Sequence, residues 1–193
     1  RDVLGSRGLG DVYKRQIQSC SLSAQEIIDK IAAAGIVGMG GATFPAHVKL
    51  SIPAGQKAEC LIINGVECEP YLTSDYRTML ERGSEVLVGV DILCKALGVN
   101  KAYIGIEDNK PDAISHLITL AVSYPHIEIV PLRTKYPQGG EKQLIQAITG
   151  REVPSGGLPI HVGVVVQNIG TSLAVYEACL LYTSPSPRDP KTS

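Results

Sequence analysis

The chain has 193 residues, of which 44 % are hydrophobic and 19 % are charged, a composition typical of a globular protein with a sizeable core. Its formal net charge of −1 argues against a nucleic-acid-binding protein and against a polybasic membrane anchor. No apolar run reaches the length of a membrane span, so we expect any work at a membrane to depend on partner subunits.

The two ends of the chain are expected to lie outside the folded domain. Residues 1–16 have neither a helical nor a strand period, and residues 180–193 are rich in Ser, Pro and Thr. Both ends look like translated sequencing-adapter read-through, and the chain begins with Arg1 rather than Met. We therefore expect a fragment in which residues 17–179 form one domain between non-native, disordered ends.

Between these ends, predicted helices and strands alternate along the chain. The first helix, 23–35, has a capping box formed by Ser23 and Glu26 and a capping glycine at Gly35. Further helices are predicted over 83–98, over 110–124 with Pro111 in the first turn, over 140–150, and from 171 onward. Short apolar strands are predicted over 59–64, 101–106, 126–132 and 162–168.

This alternation predicts an α/β fold, a Rossmann-like parallel sheet with helices on both faces and glycine-rich loops. In such sheets ligands collect outside the carboxyl ends of the strands. The segments to inspect for function are therefore 64–69, 106–109, 133–140 and 168–171.

The five cysteines favour a reducing compartment and argue against a disulfide framework or a zinc site within this chain. Their number is odd, they are widely spaced, and none forms Cys-x-x-Cys. Most are expected to be small buried residues. Cys68 differs because it lies in one of the candidate loops.

The first candidate loop follows the first helix and contains Gly38, Gly40 and Gly41. It lacks the Gly-Lys-Ser/Thr of a Walker loop, and it follows a helix rather than the strand that a dinucleotide fingerprint requires. One interpretation is a plain turn. The other is that the peptide N–H groups of Gly40 and Gly41 approach a phosphate or a flat ring, with Lys49 adding a positive charge. Lys49 could equally be a solvated surface residue.

The second candidate loop places Glu67 and Glu69 directly after a strand. Two adjacent carboxylates repel each other, which suggests a use such as accepting hydrogen bonds from sugar hydroxyls or a carboxamide. The alternative is that both point into water. Metal binding is disfavoured because no histidine is near, and acid–base hydrolysis remains open but has no nucleophile beside the pair.

The third candidate loop ends at Gly139 and Gly140, where a helix begins with Glu141 in its first turn. A helix N-terminus can hold an anion or a ring carbonyl, although Glu141 would suit the helix dipole without any ligand. Residues 154–159 are predicted to form a turn.

The motifs together resemble those of the C subunit of Rnf-type electron-transport complexes, which are ion-translocating oxidoreductases. The matching stretches are AGIVGMGGATFPAHVKL, IINGVECEPYLTSD, GIEDNKPDAI, TKYPQGGEKQLIQAITGREVPSGGLP and VGVVVQNIGT, within residues 21–178. The flavin-bearing, NADH-oxidising subunit of respiratory complex I shares the pattern more distantly. Several long motifs in one order are far more specific than a single glycine loop.

The resemblance implies a domain over 17–179 that binds FMN non-covalently and stacks NADH or NAD⁺ against it. By position in the family pattern, it assigns FMN to Gly38, Gly40, Gly41, Lys49 and Asn64. Glu67 and Glu69 would lie beside the flavin and the nicotinamide, and Phe44 would pack against the adenine. The residues that would close the pocket are Tyr136, Gly139, Gly140, Glu141 and Asn168.

The resemblance also implies a setting for this domain. Two 4Fe–4S clusters would be bound by cysteine motifs that this chain does not contain, so no metal ligand is assigned here. The partners would be the other subunits of a membrane electron-transport complex, with ferredoxin reached through them, at the cytoplasmic face of the bacterial inner membrane. No catalytic residue is named, because hydride transfer to a flavin needs placement rather than an acid or a base.

Three alternative functions remain open at this stage. One is a flavin-free quinone-binding or docking module like the A subunit of sodium-pumping NADH:quinone reductase. The second is a cobalamin reductase of the same superfamily. The third is a non-enzymatic scaffold in which the glycine loops merely turn.

Overall fold

The computed structural model describes residues 20–67, 73–134 and 139–181, and these form a parallel α/β sheet structure. The strands are β1 (Cys60–Gly65), β2 (Ala102–Glu107), β3 (Ile127–Leu132) and β4 (Val164–Asn168). The helices are α1 (Ala24–Ala33), α2 (Ala46–Leu50), α3 (Ser74–Glu81), α4 (Gly83–Leu97), α5 (Pro111–Ala121), α6 (Glu141–Thr149) and α7 (Ile169–Tyr176). A 3₁₀ turn (Pro159–Val162) precedes β4, and a π-helical turn (Glu177–Leu181) follows α7.

All strand pairs are parallel, and the strand order is β3-β2-β1-β4. The side chains of successive residues of β1 lie on opposite faces of the sheet, as strand geometry requires. Leu61 and Ile63 belong to a large core beneath α1, α4, α5 and α7, whereas Cys60 and Ile62 belong to a smaller core beneath α6. The prediction of a parallel sheet with helices on both faces is therefore confirmed.

Local sequence signals account for most element boundaries. The predicted capping box is present at α1, where the Ser23 hydroxyl accepts from the Glu26 N–H and the Glu26 carboxylate accepts from the Ser23 N–H at 2.7 Å. Gly98 and Gly150 end α4 and α6 in the left-handed conformation that favours glycine. Pro154 to Gly157 forms the predicted turn, closed by a 2.9 Å backbone hydrogen bond.

Two short helices, α2 and α3, lie inside stretches that the sequence patterns assign to loops. Each buries only a small apolar face, with Ala46 and Leu50 in α2 and Met79 in α3. The chain also stays helical to Leu181, two residues beyond the expected domain boundary, because Leu180 packs against the large core. Residues 1–19 and 182–193 lie outside the described residues.

Helices α4 and α7 pack tightly against each other at Gly89. A Cβ atom at Gly89 would lie 2.0 Å from the Ser172 carbonyl oxygen, so only glycine fits this helix crossing. The four described cysteines, Cys20, Cys60, Cys94 and Cys179, are buried, as predicted. Cys68 lies outside the described residues. No helix in the described part of the chain combines the length and hydropathy needed to cross a membrane.

Candidate functional site

The order in which strands are added to the sheet reverses at β1, and a ligand crevice is expected between β1 and β4. The chain builds β1, β2 and β3 outward in order and then returns to place β4 on the free side of β1. The loops that leave the carboxyl ends of β1 and β4 therefore lie side by side, and both lead to helices on the face of the large core. Asn64 and Asn168 are paired in register there, at the ends of the two strands.

The glycine loop, Gly38 to Phe44, lies at this crevice and is held at both its base and its rim. At the base, the Gly38 N–H donates to the Phe44 carbonyl oxygen at 2.7 Å. At the rim, the Met39 N–H donates to the Thr171 hydroxyl in the first turn of α7 at 3.0 Å. Gly41 and Thr43 have positive φ, of 112° and 48°, so this short connection contains strained backbone.

The peptide groups at the tip of the loop are open to a ligand. Gly40 and Gly41 are exposed, and no described residue accepts a hydrogen bond from either N–H. A Cβ at Gly40 would meet only the Asn168 Cβ, at 3.9 Å, and a Cβ at Gly41 would meet nothing within 4 Å. Gly40 does not have positive φ, so its own conformation does not demand glycine. The plain-turn interpretation therefore explains Gly41 but leaves Gly40 unexplained.

Lys49 and the start of α6 bring hydrogen-bond donors to the same crevice, where Glu141 offsets the charge of the lysine. The Lys49 ammonium donates to the Glu141 carboxylate at 2.9 Å and to the Val166 carbonyl oxygen at 3.2 Å, and its side chain is 31 % exposed. Lys49 is therefore partly exposed but held in place by two contacts. Gly140 is the N-cap of α6 and supplies no capping side chain, so the N–H groups of the first turn have no acceptor among the described residues.

Asn64 and Asn168 fasten the surrounding loops by equivalent hydrogen bonds. The Asn64 carboxamide accepts from the Val66 N–H at 3.0 Å and donates to the Gly139 carbonyl oxygen at 3.1 Å. The Asn168 carboxamide accepts from the Gly170 N–H at 2.8 Å, which caps α7. Asn64 is the penultimate residue of β1 and Asn168 is the last residue of β4, and each fixes the segment that follows it.

Glu67 is turned into the protein. Its carboxylate accepts from the Asp75 N–H at 2.7 Å and from the Tyr76 N–H and the Lys110 ammonium at 3.1 Å, and its side chain is 7 % exposed. The alternative that Glu67 points into water is wrong. Glu67 thus caps the N-terminus of α3, a helix that the sequence patterns did not predict.

Sequence reasoning missed the charged residues behind Glu67. Asp75, in the first turn of α3, accepts from the Asn168 Nδ2 at 2.7 Å, and Lys110 also lies 3.9 Å from the buried carboxylate of Glu107. Burial raises the pKa of Asp75, with the nearby Glu67 charge adding to it, and burial likewise raises the pKa of Glu107. The Asp at the end of YLTSD, next to a predicted loop, was the available signal for Asp75.

The remaining candidates are placed as follows. Phe44 is 46 % exposed at the end of the glycine loop, and Met39 in the same loop is also exposed. Glu69 and Tyr136 lie outside the described residues. Of the thirteen candidates, the structure brings nine to the crevice between β1 and β4: Gly38, Gly40, Gly41, Lys49, Asn64, Gly139, Gly140, Glu141 and Asn168.

One buried carboxamide near the crevice has no partner. Gln167 lies one residue before the end of β4 and is 3 % exposed, yet neither its Nε2 nor its Oε1 has a hydrogen-bond partner in the described part of the chain. Buried polar groups normally find partners. No group of three or more His, Cys, Asp or Glu side chains arranged to hold a metal ion occurs within residues 20–67, 73–134 and 139–181.

Comparison with known proteins decides the family. The family model of the Nuo51 FMN-binding domain matches residues 31–177. The chain belongs to this family. The crevice described above lies entirely within the matched region.

Curated relatives confirm the resemblance to the C subunit of Rnf-type complexes. The chain is 57 % identical over 157 residues to the C subunit of the proton-translocating ferredoxin:NAD(+) oxidoreductase complex of Clostridium ljungdahlii, covering 81 % of this chain and 34 % of that protein. It is 51 % identical over 159 residues to the Na(+)-translocating counterpart of Acetobacterium woodii, covering 82 % of this chain and 36 % of that protein. The chain thus spans about a third of the length of these relatives.

A solved structure supports the fold. An NAD⁺-reducing [NiFe]-hydrogenase in the H₂-reduced state contains a chain that superposes with a TM-score of 0.68 at 24 % identity, covering 81 % of this chain and 31 % of that one. At this identity the likeness bears on the fold alone, and it agrees with the four-stranded parallel sheet.

The residues present at the crevice fit a flat, anionic cofactor such as FMN. Because Gly40 and Gly41 have no Cβ, a ligand can approach their backbone closely, and their N–H groups have no described acceptor. Lys49, which is paired with Glu141 in this structure, and the N-terminus of α6 are groups from which a phosphate can accept hydrogen bonds.

Proposed function

We propose that this chain is the FMN- and NAD(H)-binding domain of an ion-translocating ferredoxin:NAD oxidoreductase complex. The observation that supports this most is the convergence of the free Gly40 and Gly41 N–H groups, Lys49 and the α6 N-terminus at the switch point of the sheet. This crevice occurs in a chain that belongs to the FMN-binding family.

The chain's own residues would hold the cofactor rather than react. The N–H groups of Gly40 and Gly41 would bind the anionic or carbonyl oxygens of FMN, and Lys49 would exchange part of its contact with Glu141 for the phosphate. Phe44 and Met39, both exposed at the rim, would provide apolar surface for NADH. Bound FMN would supply the chemistry, accepting a hydride from NADH or returning one to NAD⁺.

The wider setting is proposed on the family's account. In the intact protein, electrons would pass to two 4Fe–4S clusters held outside this chain, and other subunits would connect the domain to ferredoxin and to ion movement. The domain would lie peripherally at the cytoplasmic face of the bacterial inner membrane. Iron and acid-labile sulfide measured in the full-length protein, against this chain alone, would test the cluster assignment.

An FMN titration followed by NADH tests the proposal directly. We expect FMN fluorescence to be quenched on addition of the chain, with saturation at one FMN per chain. Anaerobic NADH should then bleach the visible absorption of the bound flavin. Absence of quenching at excess FMN would refute the assignment of a flavin site, whereas quenching without bleaching would refute the NADH site alone.

A further inference from the structure

Asp75, to which no role in the proposed function has been given, contacts Asn168 at the crevice. Its carboxylate accepts from the Asn168 Nδ2 at 2.7 Å, linking the first turn of α3 to the last residue of β4. Within the described part of the chain, the other acceptor for that nitrogen is the Asn64 carbonyl oxygen, at a longer 3.4 Å. Asp75 therefore makes the principal contact with this amide nitrogen.

This contact determines which way the Asn168 carboxamide points. An ionised carboxylate only accepts hydrogen bonds, so the Nδ2 of Asn168 must face Asp75. The Oδ1 is then left to accept from the Gly170 N–H at 2.8 Å and cap α7. A flipped carboxamide would set an N–H donor against the Gly170 N–H and would lose both contacts.

Asn168 and the turn of α7 that it caps lie against the glycine loop. The Asn168 Cβ is the nearest atom, at 3.9 Å, to a Cβ placed on Gly40. The first turn of α7, which Asn168 caps, supplies the Thr171 hydroxyl that binds the Met39 N–H. Gly170 in the same turn packs closely beneath Met39, since a Cβ there would lie 3.1 Å from the Met39 sulfur.

We propose that Asp75 is a positioning residue for the ligand site, acting through the Asn168 carboxamide to hold the start of α7 against the glycine loop. This inference rests on the proposed function, because the ligand whose affinity it controls is FMN. Glu67 fixes Asp75 in turn, by accepting from its N–H at 2.7 Å while paired to Lys110. Burial beside the Glu67 carboxylate makes an ionised Asp75 energetically unfavourable, which suggests that Asp75 has a function other than packing.

The test compares Asp75→Ala, Asp75→Asn and Asp91→Ala for FMN affinity by fluorescence quenching, with melting curves of the FMN-free chains. Asp91→Ala is the matched control, because it removes a carboxylate 3.0 Å from His126, which directly precedes β3 at the opposite edge of the sheet. We expect Asp75→Ala to weaken FMN binding by about tenfold or more, the usual effect of losing a hydrogen bond to a charged group. Asp75→Asn keeps an acceptor for Asn168 and should remain within about threefold of the unmodified chain.

Each outcome decides the matter. Asp75→Ala binding FMN like the unmodified chain, or Asp75→Asn failing as badly as Asp75→Ala, would overturn the positioning role. If Asp75→Ala does not fold, Asp75→Thr fills similar space with a hydroxyl too short to reach Asn168, and it should show the same loss.

A second measurement separates this inference from the proposed function. If the unmodified chain does not bind FMN at all, the ¹⁵N–¹H signals of the Asn168 side chain still report the contact, assigned by their absence in Asn168→Ser. One amide proton should be shifted downfield in the unmodified chain and in Asp75→Asn, and the shift should disappear in Asp75→Ala. Identical Asn168 signals in all three chains would overturn the inference independently of FMN.

Discussion

Placing a side chain at Gly40 should separate ligand binding from folding more cleanly than any other change in the glycine loop. An alanine Cβ at Gly40 would meet only the Asn168 Cβ, at 3.9 Å, which is ordinary van der Waals contact. Gly40 is exposed and lacks positive φ, so the replacement introduces no backbone strain. Replacing glycine at such a site changes the free energy of unfolding by about 0.4–1 kcal/mol in the stabilising direction.

The effect on FMN should have the opposite sign and a larger size. The methyl group would occupy the space through which a ligand reaches the Gly40 N–H, and each hydrogen bond to a charged group contributes about 1.5–3 kcal/mol. Gly40→Ala should therefore bind FMN at least about tenfold more weakly, and the bulkier Gly40→Val about a hundredfold more weakly. Gly41→Ala is a poorer probe, since φ of 112° strains any L-residue whether or not a ligand is present.

The assay is FMN fluorescence quenching for affinity together with thermal melting of the FMN-free chain. Ala54→Val serves as the control, because it adds bulk to an exposed turn, 53–56, that precedes the amino end of β1, whereas the site lies at the carboxyl ends of the strands. If Gly40→Val melts at the same temperature as the unmodified chain and binds FMN equally well, the ligand does not approach this peptide, and the proposed site is wrong.

Three further outcomes follow from particular contacts. Gly89→Ala should destabilise the fold by about 3 kcal/mol or more in urea unfolding, since its Cβ would lie 2.0 Å from the Ser172 carbonyl oxygen; a loss below about 1 kcal/mol would contradict the tight α4–α7 crossing. Burial raises the pKa of Cys94 to about 12, so iodoacetamide at pH 8 should label it only after unfolding, and rapid labelling of the native chain would argue against its burial. Burial also raises the pKa of Asp75, so this residue stabilises the fold below the ordinary Asp pKa of about 4, and that stabilisation is lost as pH rises through the pKa of the folded state. The free energy of unfolding of Asp75→Asn relative to that of the unmodified chain should therefore rise from pH 4 to pH 7, and a pH-independent difference would contradict this.

The elements with strong local signals could be predicted from the sequence. The capping box at Ser23 and the glycine after Leu97 mark helix boundaries that the structure reproduces. The alternation of apolar strands with helices predicts the parallel sheet, and the position of Asn64 and Asn168 after strands predicts that they meet at one edge. These inferences succeed because each depends on neighbours in the chain or on a general rule of parallel sheets.

The direction of a side chain after a strand could not be predicted in the same way. A glutamate such as Glu67 looks identical in sequence whether it faces water, a ligand or the N-terminus of a helix. Its orientation depends on α3 and on Lys110, which is 43 residues further along the chain. Asp75 escaped notice for the same reason, since its contact with Asn168 joins residues 93 positions apart.

The two asparagines at the switch point indicate how recognition is divided within the crevice. In both Asn64 and Asn168, the side-chain Oδ1 accepts from the backbone N–H two residues ahead, and the Nδ2 donates to a neighbouring segment. The described contacts of these side chains therefore hold loops in place. The groups left without described acceptors are the backbone N–H groups of Gly40 and Gly41 and the first turn of α6. We expect a site built this way to recognise oxygen-rich, negatively charged ligands mainly through its backbone. Side-chain changes at the asparagines should therefore act indirectly, by letting the loops move, whereas a Cβ at Gly40 blocks the ligand itself.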